Sequence, residues 1–405
     1  MKALSNNNII ASRVCNMGII KLNNPQSLNA LNHDMVKTLL SLLPVWQSDE
    51  TIRATLFMGC DVVNKQTKIK SVFCAGGDVK SIYRAGTQNL DEKHGFGFPN
   101  LLTSDFFRDE YTVNHIIASQ SLAKPQISIW DGIVMGGGVG ISVHGKYRVA
   151  TENTLFAMPE TGIGLFPDVG TMYYLSRLDG GLGCFIALTG ARLKADDLIY
   201  AGIATHYVPS CRLKELQDAL AMATDVCSDV TPATVNDCVG TVLDTFNEKI
   251  DLSTSQLLNK RNSIDSAFTI KPDKYLEDII DTLKQIRSCA PNDFVNDTLK
   301  TIFKMSPTSL KVTLEGLKRA KKTTSIAQDL EMEFRMMQNF MKEESDFFEG
   351  VRAVLIDRSF NPKWNPVKIS NLSENIVDGY FCNLGDHELV LSDAHEGESN
   401  LDSKL

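Results

Sequence analysis

The chain has 405 residues, 43% of them hydrophobic and 22% charged, with a formal net charge of −8. That length exceeds one ordinary core, so a large domain with a smaller appendage, or two domains, is expected. The acidic balance excludes nucleic acid as the main partner but leaves room for a phosphate-bearing ligand, which local groups can hold whatever the net field.

Apolar runs and helical stripes alternate through the first 210 residues. Met17 to Leu22 reads as a strand, and Met35 to Trp46 as a helix carrying Leu39, Leu40, Leu43 and Trp46 on one stripe. Ala54 to Met58 and Pro125 to Trp130 read as further strands, the last running straight into a glycine cluster. Strand, helix and strand at this spacing imply crossover units and an α/β layered core. From about residue 211 the pattern turns helical, over Lys214 to Cys227, Asp278 to Ser288, Asp293 to Lys304 and Ser309 to Lys321. Ile326 to Lys342 follows as a long helix with Leu330, Phe334, Met337 and Phe340 at helical spacing. Glu396 to Asp402 is polar and acidic and reads as a disordered tail.

Nine cysteines are scattered without a Cys-x-x-Cys pair, which argues against a disulfide framework or zinc site and fits a reducing compartment. No apolar run reaches the roughly eighteen residues of a membrane span. Neither a secretory signal nor an Arg-rich presequence is expected in the opening residues. The last three residues, Ser403-Lys404-Leu405, spell a peroxisomal import tripeptide. A peroxisomal destination and its import receptor are therefore expected, with the mitochondrion as the alternative.

Three segments carry candidate chemistry. Phe73-Cys74-Ala75-Gly76-Gly77-Asp78 follows a strand, and Met135-Gly136-Gly137-Gly138-Val139-Gly140 opens an apolar helix. Glycine turns let a ligand approach the backbone, and their N–H groups can hold developing negative charge; a plain turn is the other reading. The second segment does not fit G-x-G-x-x-G, and Gly140 to His144 falls short of a nucleophile elbow, so Ser142 reads as a packed helix residue. In the third segment, Glu160 and Asp168 are acids in apolar surroundings, where a raised carboxyl pKa suits acid/base work. The alternatives there are a salt-bridged acid or, for Asp168, a cap on a helix starting near Val169. Glu110 reads as a first-turn acid of a helix. His115, His144 and His206 lack metal-ligand spacing and read as core or surface residues.

Together these segments resemble the enoyl-CoA hydratase/isomerase (crotonase) superfamily. Asn24-Pro25-Gln26-Ser27-Leu28-Asn29-Ala30-Leu31 is similar to its opening motif, with Asn24 where an arginine is usual, and the two glycine segments are similar to its oxyanion-hole loops. The resemblance implies a layered β/α spiral core and an acyl-CoA substrate, with the Gly77 and Gly137 N–H groups on the thioester oxygen. Hydratases of the superfamily carry a glutamate where this chain has Gly140, whereas their second glutamate corresponds to Glu160. SVHG at Ser142, FAMPET at Phe156, GLFPDVG at Gly164, MSPTSLK at Met305, EGVRAVLID at Glu349 and Pro362-Lys363-Trp364 resemble the 3-hydroxyisobutyryl-CoA hydrolase branch. That likeness runs from about residue 10 to 366 and implies that Glu110, Gly137, Glu160 and Asp168 line the substrate site. Thr171-Met172-Tyr173-Tyr174 departs from the branch and is expected to reshape the acyl pocket. The implied organisation is a catalytic core over 1–210, a helical region packed on it over 211–370, and an acidic tail over 371–405. Thioester hydrolysis in valine catabolism, without cofactor or metal, is expected, with the oligomeric state open. A hydratase or isomerase, or a non-enzymatic relative of the kind recruited into mitochondrial ribosomes, is the alternative.

Overall fold

A computed structural model describes residues 7–64, 67–88, 102–120, 123–226, 231–289 and 293–391. The strands expected near residues 17, 54 and 125 form as Met17–Leu22, Ala54–Gly59 and Gln126–Trp130. They are central members of a six-stranded sheet ordered Ile9–Val14, Met17–Leu22, Ala54–Gly59, Gln126–Trp130, Tyr147–Ala150 and His206–Tyr207. The first pair is antiparallel and every later pair parallel.

A parallel sheet of this kind is covered on both faces, which is why its strands read as nearly continuous apolar runs. Met17, Ile19, Leu56, Ile127, Ile129 and Val149 pack against Leu216, Leu220, Val239 and Leu243. The latter four come from the helices Leu213–Val226 and Pro232–Phe246, the second of which the sequence pattern did not reveal. On the opposite face Ile20, Leu22, Phe57, Trp130 and Ala150 join a larger core. Helix His33–Ser48 lies in that core, capped by the Asn32 side chain on the Met35 N–H. Its buried stripe is Met35, Val36, Leu39, Leu42, Leu43 and Trp46, whereas Leu40 is half-buried.

The expected C-terminal helices form as Leu276–Cys289, Asp293–Ile302, Pro307–Ala320 and Ile326–Phe340. Leu310, Leu317, Phe334 and Phe340 belong to the same apolar core as Leu31 and Phe73. The stretch expected as tail from residue 371 is partly structural: Val377, Phe381 and Leu389 are buried in that core, and Arg335 pairs with Glu388 at 3.0 Å. Residues 392–405, including the acidic tail and Ser403-Lys404-Leu405, lie outside the described residues. Among the described residues no helix is long and apolar enough to cross a membrane.

A second, three-stranded sheet positions the site. Its order is Leu155–Ala157, Ile133–Met135 and Val72–Cys74, all parallel. At their carboxyl ends the three strands deliver Met158-Pro159-Glu160, Gly136-Gly137 and Ala75-Gly76-Gly77 side by side. Ligands of open α/β sheets bind at this edge.

Candidate active site

The middle strand places Gly137 between the other two segments. Gly136, with φ 47°, turns the chain from that strand into the helix Gly137–Val143. Only glycine takes this conformation without strain, and a Cβ here would also stand 3.0 Å from Glu160 Oε1. Gly137 is the first helical residue, so its N–H has no partner one turn back; the Val139 and Gly140 N–H groups already take the Gly136 carbonyl. On the neighbouring segment Leu31 bonds to the Gly76 carbonyl and the Asp78 N–H, each at 2.8 Å. In a parallel bridge the residue between those two groups points its own N–H the other way. The Gly77 N–H therefore points away from Leu31, and a Cβ on Gly137 would lie 3.3 Å from the Gly77 nitrogen. Among the described residues neither N–H has a backbone acceptor. Two backbone donors thus lie close together, a pairing that an oxyanion can use.

Three acids surround that pair. Glu110, Glu160 and Asp168 are 2%, 6% and 5% exposed, and with Gly77 and Gly137 they line one cavity of about 490 Å³. Glu110 projects from the helix Leu102–Gln120, and its Oε1 occupies the space that a Gly137 Cβ would need. Glu160 opens the short helical turn Glu160–Ile163. Asp168 follows that turn and accepts the Tyr111 hydroxyl at 2.9 Å. Among the described residues, Glu110 Oε1 and Glu160 Oε2 are buried without a hydrogen-bond partner. Burial, then the Asp168 charge, raises Glu110 well above the usual carboxyl range. Burial raises Glu160 likewise, followed by the charges of Asp168 and Glu110. Burial lifts Asp168 to about 7, against the pull of the Tyr111 hydroxyl. Buried carboxyls whose pKa values are raised in this way are candidates for proton transfer.

Several expectations change at this site. Glu110 lies in the middle of its helix rather than in a first turn. Asp168 caps no helix with its side chain, because only its backbone carbonyl receives Thr171, through N–H at 3.1 Å and Oγ1 at 2.6 Å. Thr171, Met172, Tyr173 and Tyr174 are not among the cavity-lining residues, so they do not shape it directly. Ser142 is a packed helix residue, bonded to the Gly138 carbonyl at 2.6 Å and the Trp130 Nε1 at 2.9 Å. The space a glutamate at position 140 would need is filled: a Cβ on Gly140 would stand 2.5 Å from Val169 Cβ and 3.0 Å from Asn114 Nδ2.

Tyr111 and the C-terminal wall formed by Met305, Val354 and Leu355 are additions to the residues expected from sequence. Those three lie inside MSPTSLK and EGVRAVLID, segments matched to the hydrolase branch, and that match was the available signal. Tyr111, next in sequence to Glu110, carried no signal of its own.

A family model described as enoyl-CoA hydratase/isomerase matches residues 17–381. The chain belongs to that family. Within it, 3-hydroxyisobutyryl-CoA hydrolase, mitochondrial, of Xenopus tropicalis is 42% identical over 381 residues, which cover 92% of this chain and 88% of that protein. The Danio rerio protein of the same name is 39% identical over 394 residues, covering 96% and 94%. A crystal structure of a carnitinyl-CoA dehydratase from Mycobacterium thermoresistibile superposes with a TM-score of 0.78 at 34% identity, covering 96% of this chain and all of that one. The layered α/β fold with its helical C-terminal region is thus the crotonase fold. Both hydrolases are named mitochondrial, which overturns the peroxisomal destination expected from the terminal tripeptide. Likeness over 92% and 96% of the chain outweighs three terminal residues.

Proposed function

We propose that the chain hydrolyses the thioester of 3-hydroxyisobutyryl-CoA, or a close 3-hydroxyacyl-CoA, in mitochondrial valine catabolism. The observation that carries this reading is the placing of Gly77, Gly137 and Glu160 on one cavity, with Glu160 Oε2 buried and without a hydrogen-bond partner among the described residues. The thioester oxygen takes the two N–H groups as negative charge develops on it. Glu160, once ionised, either removes a proton from water as the water oxygen adds to the carbonyl carbon, or adds to that carbon itself to give an anhydride that water then opens. In both routes the carbon–sulfur bond breaks with its electron pair going to sulfur; the CoA thiolate then takes the proton that Glu160 removed from water in the first route, or one from the water that opens the anhydride in the second, and the acyl group leaves as the free acid. Asp168, held by Tyr111, orients the water or the substrate hydroxyl, and Glu110 supports the polar end. Residues 1–210 supply all five groups, and the helical region over 211–370 closes the cavity through Met305, Val354 and Leu355.

The filled space at Gly140 supports hydrolysis over a two-glutamate hydration, which lacks its second acid here. The test is release of CoA from 3-hydroxyisobutyryl-CoA, followed by chromatography because nine protein thiols interfere with a thiol dye. Wild type should turn over, and Glu160→Gln should lose about 100- to 10,000-fold in kcat. Hydration of crotonyl-CoA without hydrolysis would move the assignment to the hydratases. A single-turnover trap for an acyl-Glu160 adduct separates the two routes.

A further inference from the structure

The chain makes an unfavourable turn directly after Asp168. Val169 has φ 59° and Gly170 φ 75°. A β-branched residue in the left-handed region is strained, and such strain persists only where the surroundings over-determine it. The Val169 side chain fills the space left by Gly140. Its carbonyl accepts His144 Nε2 at 2.7 Å, from a ring that burial keeps neutral, with its pKa lowered to about 4. The remaining restraints come from the C-terminal helix Ile326–Phe340. Glu333 accepts the Gly170 N–H at 2.6 Å and the Met172 N–H at 3.1 Å. Asp329 accepts the Tyr173 N–H at 2.9 Å.

Glu333 and Asp329 lie one helical turn apart, both with no exposed surface. Neither lines the cavity, and hydrolysis makes no use of either. Burying two acids is unfavourable unless their bonds are needed. Burial and then the Asp329 charge raise Glu333 well above the usual range, with Asp168 adding to this. Burial raises Asp329 to about 7, moderated first by its hydrogen bond to Glu333 and by the nearby Arg177 charge. With the two acids one turn apart and buried, a charge on one favours the protonated form of the other. The turn they grip is the one to which the Asp168 carbonyl is tied through Thr171.

We propose that Glu333, partnered by Asp329, is a positioning residue for Asp168: from the C-terminal helix it clamps the strained Val169–Gly170 turn and so aims the Asp168 carboxylate into the cavity. The kinetic part of this proposal rests on the hydrolase reading; the structural part does not. Glu333→Gln in the full chain leaves one acceptor for two N–H groups and turns an amide nitrogen toward the other. Amide exchange across 169–173 should then quicken while the strand Ala54–Gly59 keeps its protection. With 3-hydroxyisobutyryl-CoA, kcat should fall about 10- to 100-fold with KM changed less than about threefold, as expected of a misplaced group. Asp168→Asn should lower kcat by itself, and adding Glu333→Gln to it should lower kcat no further, because both changes act through one group. Unchanged exchange, a full additional loss in the double variant, or an Asp168→Asn enzyme with wild-type kcat would each overturn the clamp. If Glu333→Gln does not fold, Asp329→Ala removes the Tyr173 acceptor and the acid beside Glu333, leaves the Glu333 bonds to Gly170 and Met172, and carries the same measurements. If wild type releases no CoA, the hydrolase reading fails and the exchange result alone decides the clamp.

Discussion

At the scale of single residues, the acids of the cavity set each other's protonation. Glu160 must be ionised to activate water or to attack, yet burial and the charges of Asp168 and Glu110 favour its protonated form. Activity should therefore rise with pH through a limb placed above the ordinary carboxyl range. Asp168→Asn removes the larger of the two charge contributions while its amide oxygen still accepts the Tyr111 hydroxyl. Ionised Glu160 becomes easier to form, so the rising limb of kcat/KM should move to lower pH even as the maximal rate drops. The pH profile of the variant beside wild type measures this. A limb that stays in place or moves upward would mean that Asp168 does not share the field felt by the titrating base.

At the scale of elements, the helix Gly137–Val143 and the turn after Asp168 fit together through an absence. A methyl group on Gly140 would meet Val169 Cβ at 2.5 Å and Cγ2 at 2.8 Å, and neither belongs to a flexible chain end. Gly140→Ala should push the turn outward, lowering kcat about tenfold or more and stability by about 1–3 kcal/mol. Gly379→Ala, with nothing within 4 Å of the new methyl, is the matched control and should change neither. Wild-type activity and melting temperature in Gly140→Ala would show that the contact yields freely. The sequence displayed part of this arrangement. The central strands were legible because sheets buried on both faces are written as apolar runs, and the site loops because their glycines and isolated acids are locally unusual. The strands Ile133–Met135 and Leu155–Ala157 are only three residues long, too short for periodicity to mark, although they align the site. On the stripe of Leu330, Phe334, Met337 and Phe340, nothing local marks Asp329 and Glu333 as buried. Their partners lie some 160 positions earlier at Gly170, Met172 and Tyr173, and no local pattern records such a pairing.

At the scale of the whole molecule, the helices from residue 213 onward are structural partners of the sheet and of the site together. Leu213–Val226 and Pro232–Phe246 cover one face of the six-stranded sheet. Pro307–Ala320 and Ile326–Phe340 enter the core on its other side, where Phe334 packs edge-on to Tyr111 and Phe340 against Phe166. Removing either part would expose apolar surface of the other, so the two parts should lose structure together. Urea unfolding of a Trp364→Phe variant tests this, because its remaining tryptophans, Trp46 and Trp130, are both buried in the N-terminal part. Far-ultraviolet circular dichroism reports mainly on the helices, most of which follow residue 210. The fluorescence and dichroism curves should share one midpoint and one slope, as for a cooperative unit. Dichroism falling at lower urea than fluorescence would mean that the helical region unfolds by itself. Residue 210 would then be a true boundary, and the acids that grip the turn after Asp168 would belong to a separately stable unit.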